Sequence, residues 1–451
     1  MVKRLSVSFI LLLIAISGFS AVGDWTLYPS YNNATYCQVT GDKVYVLASG
    51  ALYSYDKSDN EILLYDKING LSDIDITHIE YAKEAGALVI VYSNANIDIL
   101  YDNEEIYNIS DFKNKALPNK RINGIDIQGK TAYISTEFGI VVLDLENLEF
   151  SNTYNTELNT LCTYLFEDKL YCGTSEGLYR CDTVKNMLDK NNWINVYNNN
   201  PVDALCELDG KLYCLIGNLG IYTFDPVGRG LYTVIKNNGE KYHTIYRDGN
   251  EIMAVASKKT TIIDKEGASI VIKNKDSNHT VRDGDIFWNC RGYKGLVKCK
   301  TEEREFADVS DYLIPNSPIR NYCEFMKFTN DSKLLVAGGN INFFDITFYD
   351  GTLMEYHCDD YKWVNLPEDT IKSATKLKYQ NICSIDEDPD EPGHYFASSF
   401  GYGIYEFRNG KFIAHYNHLN SPIESVVANP ASAPRYVRVR ILHWYIYTFL
   451  P

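Results

Sequence analysis

The strongest constraint on this chain is that it repeats itself. Residues 169–182 read KLYCGTSEGLYRCD: an apolar run rises into a glycine-containing turn, and a second run returns to a closing aspartate. The same phrase stands at residues 43–56 (KVYVLASGALYSYD), 130–144 (KTAYISTEFGIVVLD) and 211–225 (KLYCLIGNLGIYTFD). Each copy puts a glycine at the reversal (Gly177, Gly50, Gly139 and Gly220), where two strands joined by a tight turn need a residue without a Cβ. A repeat of this fidelity outranks any local motif in deciding the fold.

Repeat markers fall at Gly41, Gly86, Gly129, Asp168, Gly210, Gly249 and Gly284. Their spacing is close to the roughly 40–45 residues of a four-stranded propeller blade. Two copies have drifted. Residues 251–264 replace the glycine turn with Ser257-Lys258-Lys259, and residues 285–300 carry a longer turn through Gly292 and Gly295. Seven blades then fill residues 21–328. Asp24-Trp25-Thr26-Leu27-Tyr28 resembles the aromatic strand at Trp193–Tyr197 and Trp363–Leu366, and is expected to complete the last blade and remove a free edge.

A new start follows at Pro315-Asn316-Ser317-Pro318. Residues 395–407 (YFASSFGYGIYEF) are a further repeat, with Gly403 at the turn and Asn409-Gly410 leading into the next strand. The expected fold is therefore all-β: a seven-bladed β-propeller followed, over residues 329–429, by the first two blades of an incomplete second propeller. Residues 430–451 break the pattern. They hold Arg435, Arg438 and Arg440 and no acidic residue, as a shifted reading frame or a disordered end would.

The first 20 residues combine a basic start (Lys3, Arg4), an apolar run from Leu5 to Ile16 and small residues up to Ser20, the pattern of a secretory signal peptide. No later run reaches the roughly 18 apolar residues of a membrane helix. With 43 Lys and Arg against 59 Asp and Glu, the formal charge is −16, which argues against a nucleic-acid partner. Eleven cysteines occur without a C-x-x-C pair, most in apolar strand-like runs, so most are expected to be small core residues.

Gly173-Thr174-Ser175-Glu176-Gly177 matches the hydrolase elbow G-x-S-x-G, but that elbow leads from a strand into a helix, whereas here the turn returns into a strand. Asp386, Asp388 and Asp390 have the alternation of a calcium loop, but Glu391 stands where its glycine is required and Ala397 where its bidentate glutamate is required. The histidines show no metal spacing. No catalytic, cofactor or metal residue is assigned, and no cofactor is expected. Propellers bind through loops at one rim of the channel, so the candidate binding residues are Asn69, Asp73, Asn94, Asn96, Asp98, Ser110 and Asp111. The competing account is that Asn, Asp and Ser satisfy tight turns by bonding their own backbone.

The phrases Asn69-Gly70-Leu71-Ser72-Asp73, Asn94-Ala95-Asn96-Ile97-Asp98, Asn108-Ile109-Ser110-Asp111 and Phe138-Gly139-Ile140-Val141-Val142, in that order after Trp25, resemble the PorZ family of type IX secretion proteins. The segments at Pro315 and Gly403 resemble that family's second propeller. The resemblance implies two propellers and a C-terminal sandwich, of which this chain would be a C-terminally truncated member. It further implies an exported, non-enzymatic protein at the periplasm or outer surface of a Gram-negative bacterium. Such a protein binds anionic lipopolysaccharide and assists the PorU sortase in anchoring cargo. More distantly, the repeats resemble the periplasmic sensor propellers of hybrid two-component regulators, which would make the ligand an oligosaccharide.

Overall fold

The computed structural model describes residues 25–117, 119–225, 230–339, 349–366, 368–399, 402–422, 438–442 and 445–449. The expected signal peptide lies outside them. Among the described residues, nine antiparallel four-stranded units follow one another, over residues 34–65, 76–109, 122–155, 160–198, 202–236, 242–273, 279–308, 325–365 and 382–416. Within each, strands pair in sequence order, as consecutive hairpins dictate. The sixth and seventh units also meet edge to edge through one parallel pair, Lys273 with Glu305.

The repeat phrase is the second and third strand of a blade. In the fourth blade Lys169–Thr174 pairs with Gly177–Asp182, Lys169 lying opposite Asp182. These middle strands are buried on both faces, and Ala87–Tyr92 is buried at every position. A neighbouring blade covers each side, which is why they read as continuous apolar runs instead of alternating. Alternate residues face different neighbours: Val44, Val46 and Tyr53 pack with Trp288 and Leu296 of the seventh blade. Tyr45, Leu47 and Leu52 pack with Ile79, Leu88 and Ile90 of the second. Nine of the eleven cysteines are buried, all eleven are free thiols, and several pack in these inter-blade layers.

The repeat glycine has a second reason beyond the turn. Gly177 has φ +151°, and a Cβ there would lie 2.0 Å from the Tyr197 carbonyl oxygen of the fourth strand. Gly139, Gly220 and Gly403 meet the equivalent carbonyl at 2.1–2.2 Å. The outer strand is thus pressed onto the turn at a point where no side chain fits.

Blades one to seven close a ring whose innermost strands are the first strands of each unit. The seam joins Ala34 to Gly292 through paired backbone hydrogen bonds of 2.9 and 3.1 Å, and Asn278 Nδ2 donates to the Ala34 carbonyl at 3.0 Å. The expected closing strand at Trp25–Tyr28 is not formed. The seventh unit already has four strands of its own, so it offers no open edge. Instead the segment straps the ring to the eighth unit. Tyr28 packs against Tyr356 and Trp363 with ring centroids 4.9 and 5.7 Å away. Ser30 N donates to Asn321 Oδ1 at 2.6 Å, and Asn32 Nδ2 donates to Ser317 Oγ and the Pro318 carbonyl at 3.1 and 3.0 Å.

Phe325–Phe328, placed by the repeat at the end of the first domain, pairs with Lys333–Ala337 and lies in the eighth unit. In the tail, Arg438–Leu442 and Tyr445–Phe449 form an antiparallel pair beside Ile382–Glu387. Residues 423–437, 443–444, 450 and 451 lie outside the described residues. Among the described residues, no helix is long and apolar enough to cross a membrane.

Candidate functional site

Two concave regions stand out in the ring. The first is its central channel, a cavity of about 520 Å³ lined by the first strands of blades one to six. Alternation in a first strand sends every second side chain inward, and several that line the channel are polar, among them Tyr36, Glu80 and Asp126. Glu80 accepts from Tyr36 Oη and Gln38 Nε2, both at 3.0 Å. Asp126 accepts from the Thr163 backbone N–H and hydroxyl at 2.7 and 2.9 Å. The protein surrounds both carboxyls even where the channel leaves part of their surface open. Burial pushes Glu80 up to about 8; the Tyr36 and Gln38 hydrogen bonds oppose the rise and the charge of Asp126 adds to it. Burial raises Asp126 to about 6 against the two Thr163 bonds. Burial likewise holds the His78 imidazole below its ordinary value, although its Nε2 bonds the Asn123 carbonyl at 3.0 Å. A channel that holds the Glu80 carboxyl protonated near neutral pH beside Asp126 and Asp203 suits hydroxyl-bearing or cationic groups and repels phosphate.

The second region is a cleft of about 440 Å³ between the N-terminal strap (Leu27, Tyr28), the loops of the first two blades (Gly50, Asp73, Ile74) and Asn321. Repeat reasoning could not find it, because the strap forms one wall.

The seven rim residues divide into two groups. Asp73, Asn94, Asn96 and Asp98 come together in one network. Asn94 Nδ2 and Lys113 Nζ donate to Asp73 at 2.6 and 2.7 Å, and Asn96 Nδ2 approaches it at 3.4 Å. Burial works against ionisation of Asp73, but the Lys113 and Asn94 hydrogen bonds outweigh it and lower the group to about 2. Asp98 is wholly buried and accepts from Tyr92 Oη at 2.5 Å, from the Ser72 backbone at 2.8 Å and from Asn108 Nδ2 at 2.8 Å. This network ties the loop before blade two to the connection leading into blade three. Asn69, Ser110 and Asp111 stand apart. The exposed Asn69 bonds Asp66 and the Leu64 carbonyl; Ser110 precedes a short helix, Asp111–Asn114, and accepts from Asn114 at 3.2 Å. Ser175 of the G-x-S-x-G match is exposed on a strand–turn–strand hairpin, its turn capped by Thr174 Oγ1.

Comparison with known proteins bears on this ring directly. Residues 44–194 match the family model of the PorZ N-terminal β-propeller domain of type IX secretion. The structure also superposes on PorZ of Porphyromonas gingivalis with a TM-score of 0.82 at 22% sequence identity, covering 95% of this chain and 57% of that one. That protein is described as an essential bacterial surface component of the type IX secretion system. The chain thus spans a little over half the length of the PorZ structure it matches, and the PorZ resemblance holds in sequence and in fold. The extracellular domain of a hybrid two-component system of B. thetaiotaomicron matches at a TM-score of 0.40 and 14% identity, covering 94% of this chain and 62% of that one. At that score it carries no functional argument. None of the curated proteins matches the chain.

Proposed function

We propose that this protein is an exported, non-enzymatic accessory component of type IX secretion that acts at the outer surface of the cell, as PorZ does. In this reading it binds anionic lipopolysaccharide and assists the sortase that anchors cargo there. The observation that carries it is the joint match to PorZ, by family model within the ring and by fold over 95% of the chain. The charge distribution adds a constraint. Carboxylates line the channel and the whole chain carries −16, so a phosphate-bearing glycan would contact rim loops, where cations gather locally. Lys113, Lys115, Lys120 and Arg121 lie on the connection between blades two and three, next to Ser110 and Asp111. The test is a pull-down with the purified full chain against anionic lipopolysaccharide, neutral lipopolysaccharide and the sortase. Salt-sensitive retention of the anionic form and recovery of the sortase are expected; retention of neither overturns the proposal.

A further inference from the structure

The hairpin turn that opens the ninth unit, between Ile382–Glu387 and His394–Ser399, brings Asp388, Glu391 and His394 to one point, their ligand atoms all within 4.8 Å of one another. From this cluster we infer a divalent transition-metal site, best suited to Zn²⁺, with His394 Nδ1, Asp388 Oδ2 and Glu391 Oε2 as ligands and water completing a tetrahedron. The inference does not rest on the secretion reading.

Three observations carry it. His394 is nearly buried, at 7% exposure, and its Nε2 lies 2.9 Å from Glu406 Oε1. An ionised carboxylate only accepts, so Nε2 carries the hydrogen and, in the neutral ring, Nδ1 keeps its lone pair. Glu406 is itself fixed by Tyr416 Oη at 2.5 Å, outside the ligand cluster. A carboxylate that orients the far nitrogen of a histidine is the usual support for a metal-binding imidazole.

The second observation is distance. His394 Nδ1 lies 3.2 Å from Glu391 Oε2 and 3.5 Å from Asp388 Oδ2. Ligands about 2.0–2.2 Å from zinc in a tetrahedron stand about 3.3–3.6 Å apart, so two edges of the polyhedron are already in place.

The third is charge. Three carboxylates, those of Asp388, Glu391 and Glu406, surround one imidazole, with Arg408 as the facing cation. Arg408 Nη1 holds Glu391 Oε1 at 3.1 Å, which leaves Oε2 turned toward the histidine. Arg408 Nη2 also reaches His394 Nδ1, but only at 3.5 Å, and a dication bonded to all three ligand atoms would neutralise the two carboxylates at bonding distance. The Asp386-Asp388-Asp390 alternation misses this set. Asp386 is paired with Lys327 at 2.9 Å, and the operative spacing is Asp388-x-x-Glu391-x-x-His394, folded by a turn in which Asp388 N bonds the His394 carbonyl at 2.8 Å.

The experiment is calorimetric titration of the chelator-treated full chain with Zn²⁺, alongside the visible spectrum of the Co²⁺ form. One site per chain is expected. Asp388→Asn and Glu391→Gln, both on the turn, should each weaken binding at least tenfold. His394→Ala should abolish it, and Glu406→Gln should weaken it about 10–100-fold through orientation alone. Far-ultraviolet circular dichroism checks that each variant folds. Absence of Zn²⁺ binding by the wild type means that the cluster is an ion-paired turn only and overturns the proposal. Binding that survives all four substitutions, as at the exposed Cys323, overturns it equally.

Discussion

Ile76–Ala82, the first strand of the second blade, and Phe325–Phe328, the first strand of the eighth unit, hold the same position in the same four-stranded design. The first has neighbours on both sides, and Ile76 and Ile79 are 4% and 2% exposed. The second leaves Met326 and Phe328 57% and 66% exposed. A blade does not bury its own core, because its two faces are covered only by the blades beside it. The interiors differ as well. Neutral Thr, Ser and Asn side chains make up most of the buried polar groups of the ring, beside two charged residue types, Asp98 and Arg291, the latter paired with Asp308 at 2.7 Å. The eighth and ninth units bury Glu355, Asp386, Glu387, His394 and Glu406, together with Arg320, whose guanidinium is clasped by Glu368 and bonds Thr352 at 2.6 Å. The ring is thus held by apolar layers between blades, and the following region more by partnered charges.

The largest expected effect that separates the two regions comes from their shared glycine. Gly177→Ala should cost about 3–6 kcal/mol, as strain at a disfavoured φ is added to overpacking against backbone. It should also loosen the whole ring, since each blade supports two others. Gly403→Ala, with the same clash against the Tyr416 carbonyl at 2.2 Å, should instead release the ninth unit to protease while residues 34–308 stay resistant. Loss of the entire chain in that digestion would break the comparison. Gly210→Ala is the control, at about 1 kcal/mol, because nothing lies within 4 Å of its Cβ.

Side-chain truncation comes next. Leu178→Ala, at a wholly buried inter-blade position, should cost about 2–5 kcal/mol, and Phe328→Ala should stay within about 0.5 kcal/mol. Urea denaturation of the two variants measures the contrast. Equal losses would mean that another surface covers Phe328 in solution.

The smallest effect is in the channel. Glu80 is raised to about 8 in the folded ring and returns to about 4.3 on unfolding, so the folded state holds the extra proton between those values. Its contribution to stability is full below about pH 4 and is lost as pH rises toward 8. Between pH 6 and 8 the wild type should lose about 2 kcal/mol that Glu80→Gln does not. Parallel thermal melts at pH 6, 7 and 8 would expose the difference, and identical slopes would show that the carboxyl titrates normally.

The sequence by itself determined the blade. Spacing of Gly41 through Gly284 counted seven units, and the phrase at residues 169–182 marked the paired middle strands, because a strand buried on both faces leaves a continuous apolar run. It also brought Asp73, Asn94, Asn96 and Asp98 to notice, residues that the fold joins in one network. Only the tertiary structure decided where the aromatic segment at Trp25–Tyr28 goes. Its composition suits an outer strand, but whether an edge is open depends on a sheet more than 250 residues away. The raised carboxyl of Glu80 depends likewise on strands from several blades converging on one axis. The Asp388, Glu391 and His394 cluster depends on a turn geometry and on Glu406 across the hairpin. Local pattern fixes pairing between neighbours in the chain; burial, charge environment and ligand geometry are set by neighbours in space, which a repeat, alike in every copy, does not distinguish.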